Sequence, residues 1–68
     1  MNYAVIFEKS TNGYGAYAPD LPGCVAMGDT LEETRDLMIE AIQLHVVSLR
    51  SHSEPVPEPT TVVMQLSA

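Results

Sequence analysis

The chain has little of what a disulfide scaffold or a nucleic-acid-binding protein needs. It has 68 residues with one cysteine, so it cannot form an internal disulfide. Three Lys and Arg residues oppose nine Asp and Glu residues, for a formal net charge of −6. Three scattered cations cannot form the basic patch that binds phosphates. The composition therefore excludes direct binding to nucleic acid. The excess of negative charge either suits a basic protein partner or only keeps a small domain in solution.

Long apolar runs and a secretion signal are also missing. No run approaches the roughly 20 apolar residues of a membrane span, and no basic segment followed by an apolar one opens the chain. These absences predict no membrane association and a cytoplasmic protein. A chain of 68 residues makes a single domain, 1–68, whose own core gives marginal stability. We therefore expect a homodimer or homotetramer.

Three strand patterns occupy the first part of the chain. Tyr3–Glu8 alternates in period two and is apolar on both faces, which predicts an inner strand. The dipeptide Asn12-Gly13 favours a tight hairpin turn, and Tyr14–Ala18 is the predicted returning strand. After a Pro-Gly turn, Cys24–Gly28 is the third predicted strand.

A helix is predicted from a cap at Thr30 to about Arg50. Glu33 follows the cap by three residues, as in a capping box. Residues 53–59 then carry proline at alternate positions, which favours an extended, stiff strap. Thr60–Leu66 is predicted to be a final strand.

This order predicts an α+β fold, β-β-β-α-β, with a small, mainly antiparallel sheet and one helix packed on one sheet face. The other sheet face is left uncovered. A second copy of the chain is the expected cover, with oligomer contacts at Tyr3, Val47 and Val63.

No set of residues indicates a metal site or a cofactor. A metal site would need Cys24 together with His45 and His52, which follow no ligand spacing. Neither a catalytic triad nor a glycine-rich phosphate loop is present. We therefore expect no bound metal, no cofactor and no enzymatic activity.

One enzymatic alternative is kept because the chain is rich in carboxylates. Glu8, Asp20 and Asp29 would serve a residual metal-dependent nuclease if they converged on Mg²⁺. Asp29 already has a role at the start of the predicted helix.

The stretch YAPDLPGCVAMGDTLEE, residues 17–33, has two interpretations. In the first, its proline and glycine turn the chain while Leu21 and Cys24 seal the sheet edge. In the second, Tyr17, Asp20, Leu21 and Pro22 form an exposed rim that binds a basic partner.

The combination of PDLPGC, GDTLEE and EAIQLH, followed by the proline strap, resembles the HicB-like antitoxin family. The resemblance covers nearly the whole chain. It implies a reduced ribonuclease H-like sheet of order 3-2-1-4, whose last strand runs parallel to the first and which lacks that fold's catalytic carboxylates. It also implies inhibition of HicA, a small basic RNA-cleaving toxin.

Complete members of that family continue, after the final strand, into a DNA-binding segment that this sequence does not show. The resemblance therefore implies a stand-alone domain that does not repress its own operator. An orphan oligomer with another ligand is the alternative.

Overall fold

The computed structural model describes residues 1–68 as a three-stranded sheet with one helix. The strands are β1, Ile6–Ser10, β2, Gly13–Tyr17, and β3, Val25–Gly28. The helix, α1, spans Leu31–Ser51. All neighbouring strands are antiparallel, in the order β1-β2-β3. The predicted α+β architecture is confirmed.

The prediction of a final strand at Thr60–Leu66 is wrong for the single chain. The segment makes no backbone hydrogen bond to any other backbone group, so no ladder forms. The ribonuclease H-like fourth strand is therefore absent. Because nothing pairs with its outer side, β1 is an edge strand and not the predicted inner strand.

The first strand and the hairpin turn lie at other residues than the sequence predicts. β1 begins at Ile6 and not at Tyr3, because its partner β2 ends at Tyr17, the residue opposite Ile6. The turn residues are Thr11 and Asn12, between the paired residues Ser10 and Gly13. Neither turn residue has a positive φ, so the expected mirror-image turn is not used.

The helix packs over β2 and β3 and buries a small core. Five apolar residues form this core: Ala16, Ala18, Leu21, Cys24 and Met38. Pleating places Ala16 and its partner Ala26 on the helix side of the sheet, and Tyr17 and Val25 on the open side.

Close packing of α1 on β3 depends on Gly28. A Cβ atom there would lie 2.7 Å from Thr34 Oγ1 and 3.1 Å from the Thr34 backbone nitrogen. Thr34 is fully buried, and its hydroxyl donates to the carbonyl of Thr30 at 2.7 Å. The close approach of Thr34 to Gly28 holds the first turn of the helix against β3.

Both ends of the helix are capped. Thr30 Oγ1 accepts a hydrogen bond from the Glu33 backbone N–H at 3.0 Å, which confirms the predicted start. At the other end, the Ser53 N–H donates to the Arg50 carbonyl and the Glu54 N–H to the Leu49 carbonyl. Ser53 has a φ of 56°, the left-handed conformation of a Schellman cap. The helix lacks the length and apolar character that crossing a membrane requires.

Candidate partner-binding surface

The segment between β2 and β3 is a double turn that inserts side chains into the core. The Leu21 N–H donates to the Ala18 carbonyl at 3.0 Å, and the Cys24 N–H donates to the Leu21 carbonyl at 3.0 Å. Gly23 has a φ of +83°, which the second turn requires and glycine tolerates. Leu21 is 0% exposed and Cys24 3% exposed. The interpretation in which these two residues seal the sheet is therefore correct.

Cys24 has the environment of an apolar core residue. Burial raises the pKa of its thiol, because the thiolate would lose its hydration. A thiol held in the protonated form is a poor nucleophile and a poor metal ligand. Its role is packing.

Asp20, next to Leu21, holds the distant C-terminal segment. Its Oδ2 accepts the backbone N–H groups of Thr60 and Thr61 at 3.0 and 2.9 Å. Its Oδ1 accepts the two threonine hydroxyls at 3.1 and 2.8 Å. These bonds, the Thr61 backbone bond above all, lower the pKa of Asp20 from its ordinary value. We call this set of four bonds the Asp20 clamp.

Tyr17, Asp20, Leu21 and Pro22 do not form one exposed rim, contrary to the prediction. The Leu21 side chain is buried, and the Asp20 carboxylate is occupied by the clamp. Tyr17 is 40% exposed on the open sheet face, and Pro22 is exposed in the turn. Of the four residues, only Tyr17 and Pro22 are exposed.

The carboxylates considered for a nuclease do not share a site. Both oxygens of Asp20 bind Thr60 and Thr61. No three His, Cys, Asp or Glu side chains lie where they could hold one metal ion. The His52 Nδ1 lies 2.8 Å from the Ser48 carbonyl oxygen at the helix end.

An acidic row runs along the exposed side of α1. Glu32, Asp36 and Glu40 follow one another at four-residue spacing, so they lie above one another on consecutive turns. All three side chains are exposed, and Glu33 adds a further carboxylate beside them. The one ion pair of the chain joins Arg35 to Asp36 at 3.3 Å. Since both partners are about two-thirds exposed, this pair is screened by water and leaves the row strongly negative.

A shallow apolar groove lies beside the acidic row, between β3 and α1. We call it the β3–α1 groove. One wall is the edge strand β3, with Ala26 on the helix side and with Val25 and Met27, 62% and 78% exposed, on the open side. The other wall is the helix, with Leu37 and Leu44, which are 39% and 62% exposed. The outer side of β3 has no strand partner, so its backbone groups are open along the same side.

The row and the groove form one continuous surface. Leu37 and Glu40 line both the acidic depression at the start of the helix and the apolar groove. Tyr17 lies on the open sheet face next to its cross-strand partner Val25. Exposed apolar side chains bordered by charges of one sign are typical of a protein-binding surface.

Comparison with known proteins gives the family. The family model described as the HicB_like antitoxin of bacterial toxin-antitoxin system matches residues 3–68. This chain belongs to the HicB-like antitoxin family. The resemblance inferred from its sequence motifs is confirmed.

Curated relatives of this HicB-like chain include the UPF0150 protein ssr1765 of Synechocystis. It is 43% identical over 67 residues, which cover 97% of this chain and 85% of that protein. The UPF0150 protein Ta0767 of Thermoplasma acidophilum is 40% identical over 58 residues, which cover 84% of each chain.

A solved structure resembles the fold. One chain of a HicA3 and HicB3 toxin-antitoxin complex superposes with a TM-score of 0.75 and 28% sequence identity. The match covers 88% of this chain and 70% of that chain.

Sequence reasoning missed the Asp20 clamp and the β3–α1 groove. The clamp joins residues 40 positions apart, and its only sequence signal is a Thr-Thr pair after the proline strap. The groove depends on the edge position of β3. The four-residue spacing of Glu32, Asp36 and Glu40 was the signal for the acidic row.

Proposed function

We propose that this HicB-like chain is an antitoxin that neutralises a small, basic, HicA-like RNA-cleaving toxin. It acts by covering the toxin's RNA-binding or catalytic surface in the cytoplasm, and it has no catalysis of its own. The acidic row beside the β3–α1 groove is the observation that carries the proposal. Family membership and the structural match to a chain of a HicA3 and HicB3 complex support it.

The acidic row is complementary in charge to a surface that binds RNA. An RNA-cleaving enzyme binds phosphates through Lys and Arg side chains. Glu32, Asp36 and Glu40 present carboxylates in a line on a rigid helix, with Arg35 the only cation bonded to any of them. A negative row of this kind attracts the toxin's cations and competes with RNA for them.

The apolar groove supplies the affinity that charge alone does not give. Val25, Met27 and Leu44 offer exposed apolar atoms at the base of the row. The free edge of β3 can accept main-chain hydrogen bonds from a strand of the partner. Tyr17 and Pro22, the exposed residues of the sequence-predicted set, are proposed as contacts at the margin.

The proposal is tested by the toxin's RNA cleavage. A HicA-like toxin from the same cell, or HicA3, is mixed with increasing amounts of the chain, and the cleavage rate of a model RNA is measured. We expect cleavage to fall to background near a defined stoichiometric ratio. Unchanged cleavage at a large molar excess over both toxins would make the chain an orphan of its family.

The acidic row is tested with a neutralising triple variant, Glu32→Gln, Asp36→Asn and Glu40→Gln. Its matched control is Glu8→Gln, Glu54→Gln and Glu58→Gln, which removes three exposed carboxylates outside the row. Both variants lower the net negative charge from −6 to −3. We expect the row variant to need at least about tenfold more protein for half inhibition, equal to a loss of about 1.4 kcal/mol. Equal losses in both variants would show that overall charge, and not the row, drives binding.

A further inference from the structure

One end of the sheet brings together the starts of β1 and β3. The register pairs Ile6 with Tyr17 and Tyr17 with Val25, so β1 and β3 both begin beside the residue at which β2 ends. The helix begins at the opposite end, where the Thr34 hydroxyl lies 3.5 Å from the carbonyl oxygen of Tyr14. Since α1 packs along β2 and β3, the chain leaves the helix towards the end at which β1 and β3 begin.

The proline strap crosses this end of the sheet and is tied on both sides of it. The Tyr3 hydroxyl, three residues before β1, donates to the Pro57 carbonyl at 2.6 Å. Asp20, three residues after β2, binds Thr60 and Thr61 in the clamp. Part of the strap is half-buried, so it lies against the domain. The segment that follows the helix therefore contacts the residues that lead into β1 and into β3.

Asp20 joins the clamp to the double turn that precedes β3. Its neighbour Leu21 is 0% exposed, and the backbone N–H and carbonyl of Leu21 take part in both turns. The Ala18 N–H donates to the Cys24 carbonyl at 3.2 Å and closes the double turn at its base. Val25, the first residue of β3, follows Cys24 directly. A displacement of Asp20 therefore has a short, packed path to the β3 edge.

The clamp restrains the double turn from outside the sheet. Each oxygen of the Asp20 carboxylate accepts two hydrogen bonds, at distances of 2.8 to 3.1 Å. Pro22 and Gly23, on the other side of the turn, are exposed. Surface turns are among the first parts of a protein to open, so four bonds to one side chain here matter for local order.

The proposed binding surface needs the start of β3 to be in place. Val25 and Leu44 line the β3–α1 groove, and the free edge of β3 is the proposed site of main-chain pairing. A surface that is ordered before binding loses less conformational entropy when the partner arrives. Thr60 and Thr61 belong neither to the groove nor to the acidic row. Their effect on binding therefore acts through the position of the turn.

We infer that the Asp20 clamp is a regulatory latch for this surface. While Thr60 and Thr61 are bound, the double turn and the start of β3 keep the conformation that the toxin binds, and release of the C-terminal segment loosens both. The inference rests on the proposed function and adds a means of regulating it. Asp20, Thr60 and Thr61 are positioning residues. Any contact that draws residues 60–68 away from Asp20 should weaken toxin binding, because the two events are thermodynamically linked.

The latch is tested with the double variant Thr60→Val and Thr61→Val, which removes two hydroxyl donors and keeps nearly the same side-chain shape. It leaves the net charge at −6, so a weaker affinity cannot come from lost charge, as it could for Asp20→Asn. The matched control is Thr60→Ser and Thr61→Ser, which keeps both hydroxyl donors.

The first measurement is hydrogen exchange of the free chain. The amides of Ala18, Leu21 and Cys24, whose hydrogen bonds form the double turn, should exchange at least about fivefold faster in the valine variant. They should keep wild-type rates in the serine variant, and the amide of Met38 in the helix should be unchanged in both. Unchanged turn amides in the valine variant would overturn the inference. Equal acceleration at Met38 would show a global loss of stability and would also overturn it.

The second measurement is affinity for a HicA-like toxin by calorimetry. The valine variant should bind at least about threefold more weakly than the wild type, and the serine variant should bind like the wild type. Wild-type affinity in a valine variant whose turn exchanges faster would overturn the inference. A wild-type chain that binds no toxin contradicts the proposed function instead, and hydrogen exchange then still decides whether the clamp holds the double turn.

Discussion

The two edges of the sheet differ in charge, although both are open. The β3 edge adjoins Glu32, Asp36 and Glu40, and exposed apolar side chains lie between the strand and the helix. The β1 edge carries one charge of each sign, on Glu8 and Lys9. The net charge of −6 is therefore unevenly distributed. An acidic edge suits an unlike, basic partner, whereas the β1 edge offers no net charge to select one.

Replacing Leu21 should have the largest effect, because this residue supports both edges. Leu21→Ala removes a fully buried side chain from a five-residue core and should cost about 2–5 kcal/mol. In a domain this small, such a loss should leave much of the chain unfolded at 37 °C and abolish binding to the proposed toxin partner. Urea denaturation followed by circular dichroism measures the change.

Leu44→Ala is the control for this variant. Leu44 is 62% exposed on the helix, and alanine is a good helix former, so its free energy of unfolding should change by less than about 0.5 kcal/mol. Equal destabilisation by the two leucine variants would contradict the structural role given to Leu21.

Gly28→Ala should destabilise the packing of the helix on β3, and it should affect β1 less. The added methyl group would lie 2.7 Å from Thr34 Oγ1 and 3.1 Å from the Thr34 backbone nitrogen, so the helix must move away from β3. We expect a cost of about 1–3 kcal/mol. Hydrogen exchange should show faster opening of β3 amides.

Gly15→Ala is the matched control for Gly28→Ala. An added Cβ at Gly15 would approach nothing closer than the Ala26 carbonyl oxygen at 4.0 Å. Its melting temperature should stay close to that of the wild type. A larger loss for Gly15→Ala would contradict the packing described for β3.

Acidification should release the C-terminal segment, which begins at Thr60, from Asp20. The folded-state pKa of Asp20 lies below its ordinary value of 3.8, because Thr61 and Thr60 hydrogen bonds favour the carboxylate. Its contribution to stability is therefore present above that value and is lost as the pH falls through the folded-state pKa. NMR chemical shifts of the Thr60 and Thr61 amides should report the loss.

Asp20→Asn gives the comparison for the acid titration. The amide keeps the shape of the side chain but cannot accept four hydrogen bonds with two carboxylate oxygens. The Thr60 and Thr61 amides should already have their released shifts at neutral pH and should no longer follow the titration. The same low-pH shift change in the wild type and the variant would exclude Asp20 as its cause.

The smallest expected effect is a stabilisation remote from both edges. Ser53 has a φ of 56° in the Schellman cap, a conformation that glycine adopts without strain. Ser53→Gly should raise the free energy of unfolding by about 0.5–1 kcal/mol and leave the affinity for the proposed toxin partner unchanged. Ser51→Gly, inside the helix end, should lower it instead, and thermal melts of the two variants distinguish the signs.

Local signals predicted the parts of the fold that depend on neighbouring residues. The cap at Thr30, the helix to about Arg50 and the three antiparallel strands follow from patterns within a few residues. Thr60–Leu66 was misassigned as a strand because its strand-like composition does not determine whether a partner strand is within reach. Pairing is a property of the whole chain or of an assembly.

The candidate site was less predictable for the same reason. Leu21 and Asp20 are adjacent in a turn, yet one side chain enters the core and the other binds residues 40 positions away. Sequence alone left both possibilities open for this turn. The helical repeat alone was enough to predict the acidic row. Predicting the β3–α1 groove also required the order of the strands in the sheet.

The most direct test of the account is calorimetric titration of the wild-type chain into a HicA-like toxin at low and at high salt. We predict binding with a dissociation constant of about 1 µM or tighter. We also predict that it weakens severalfold as salt screens the exposed acidic row. Absence of binding at tens of micromolar toxin, or an affinity that salt does not change, would contradict the claim that the acidic edge binds a basic toxin.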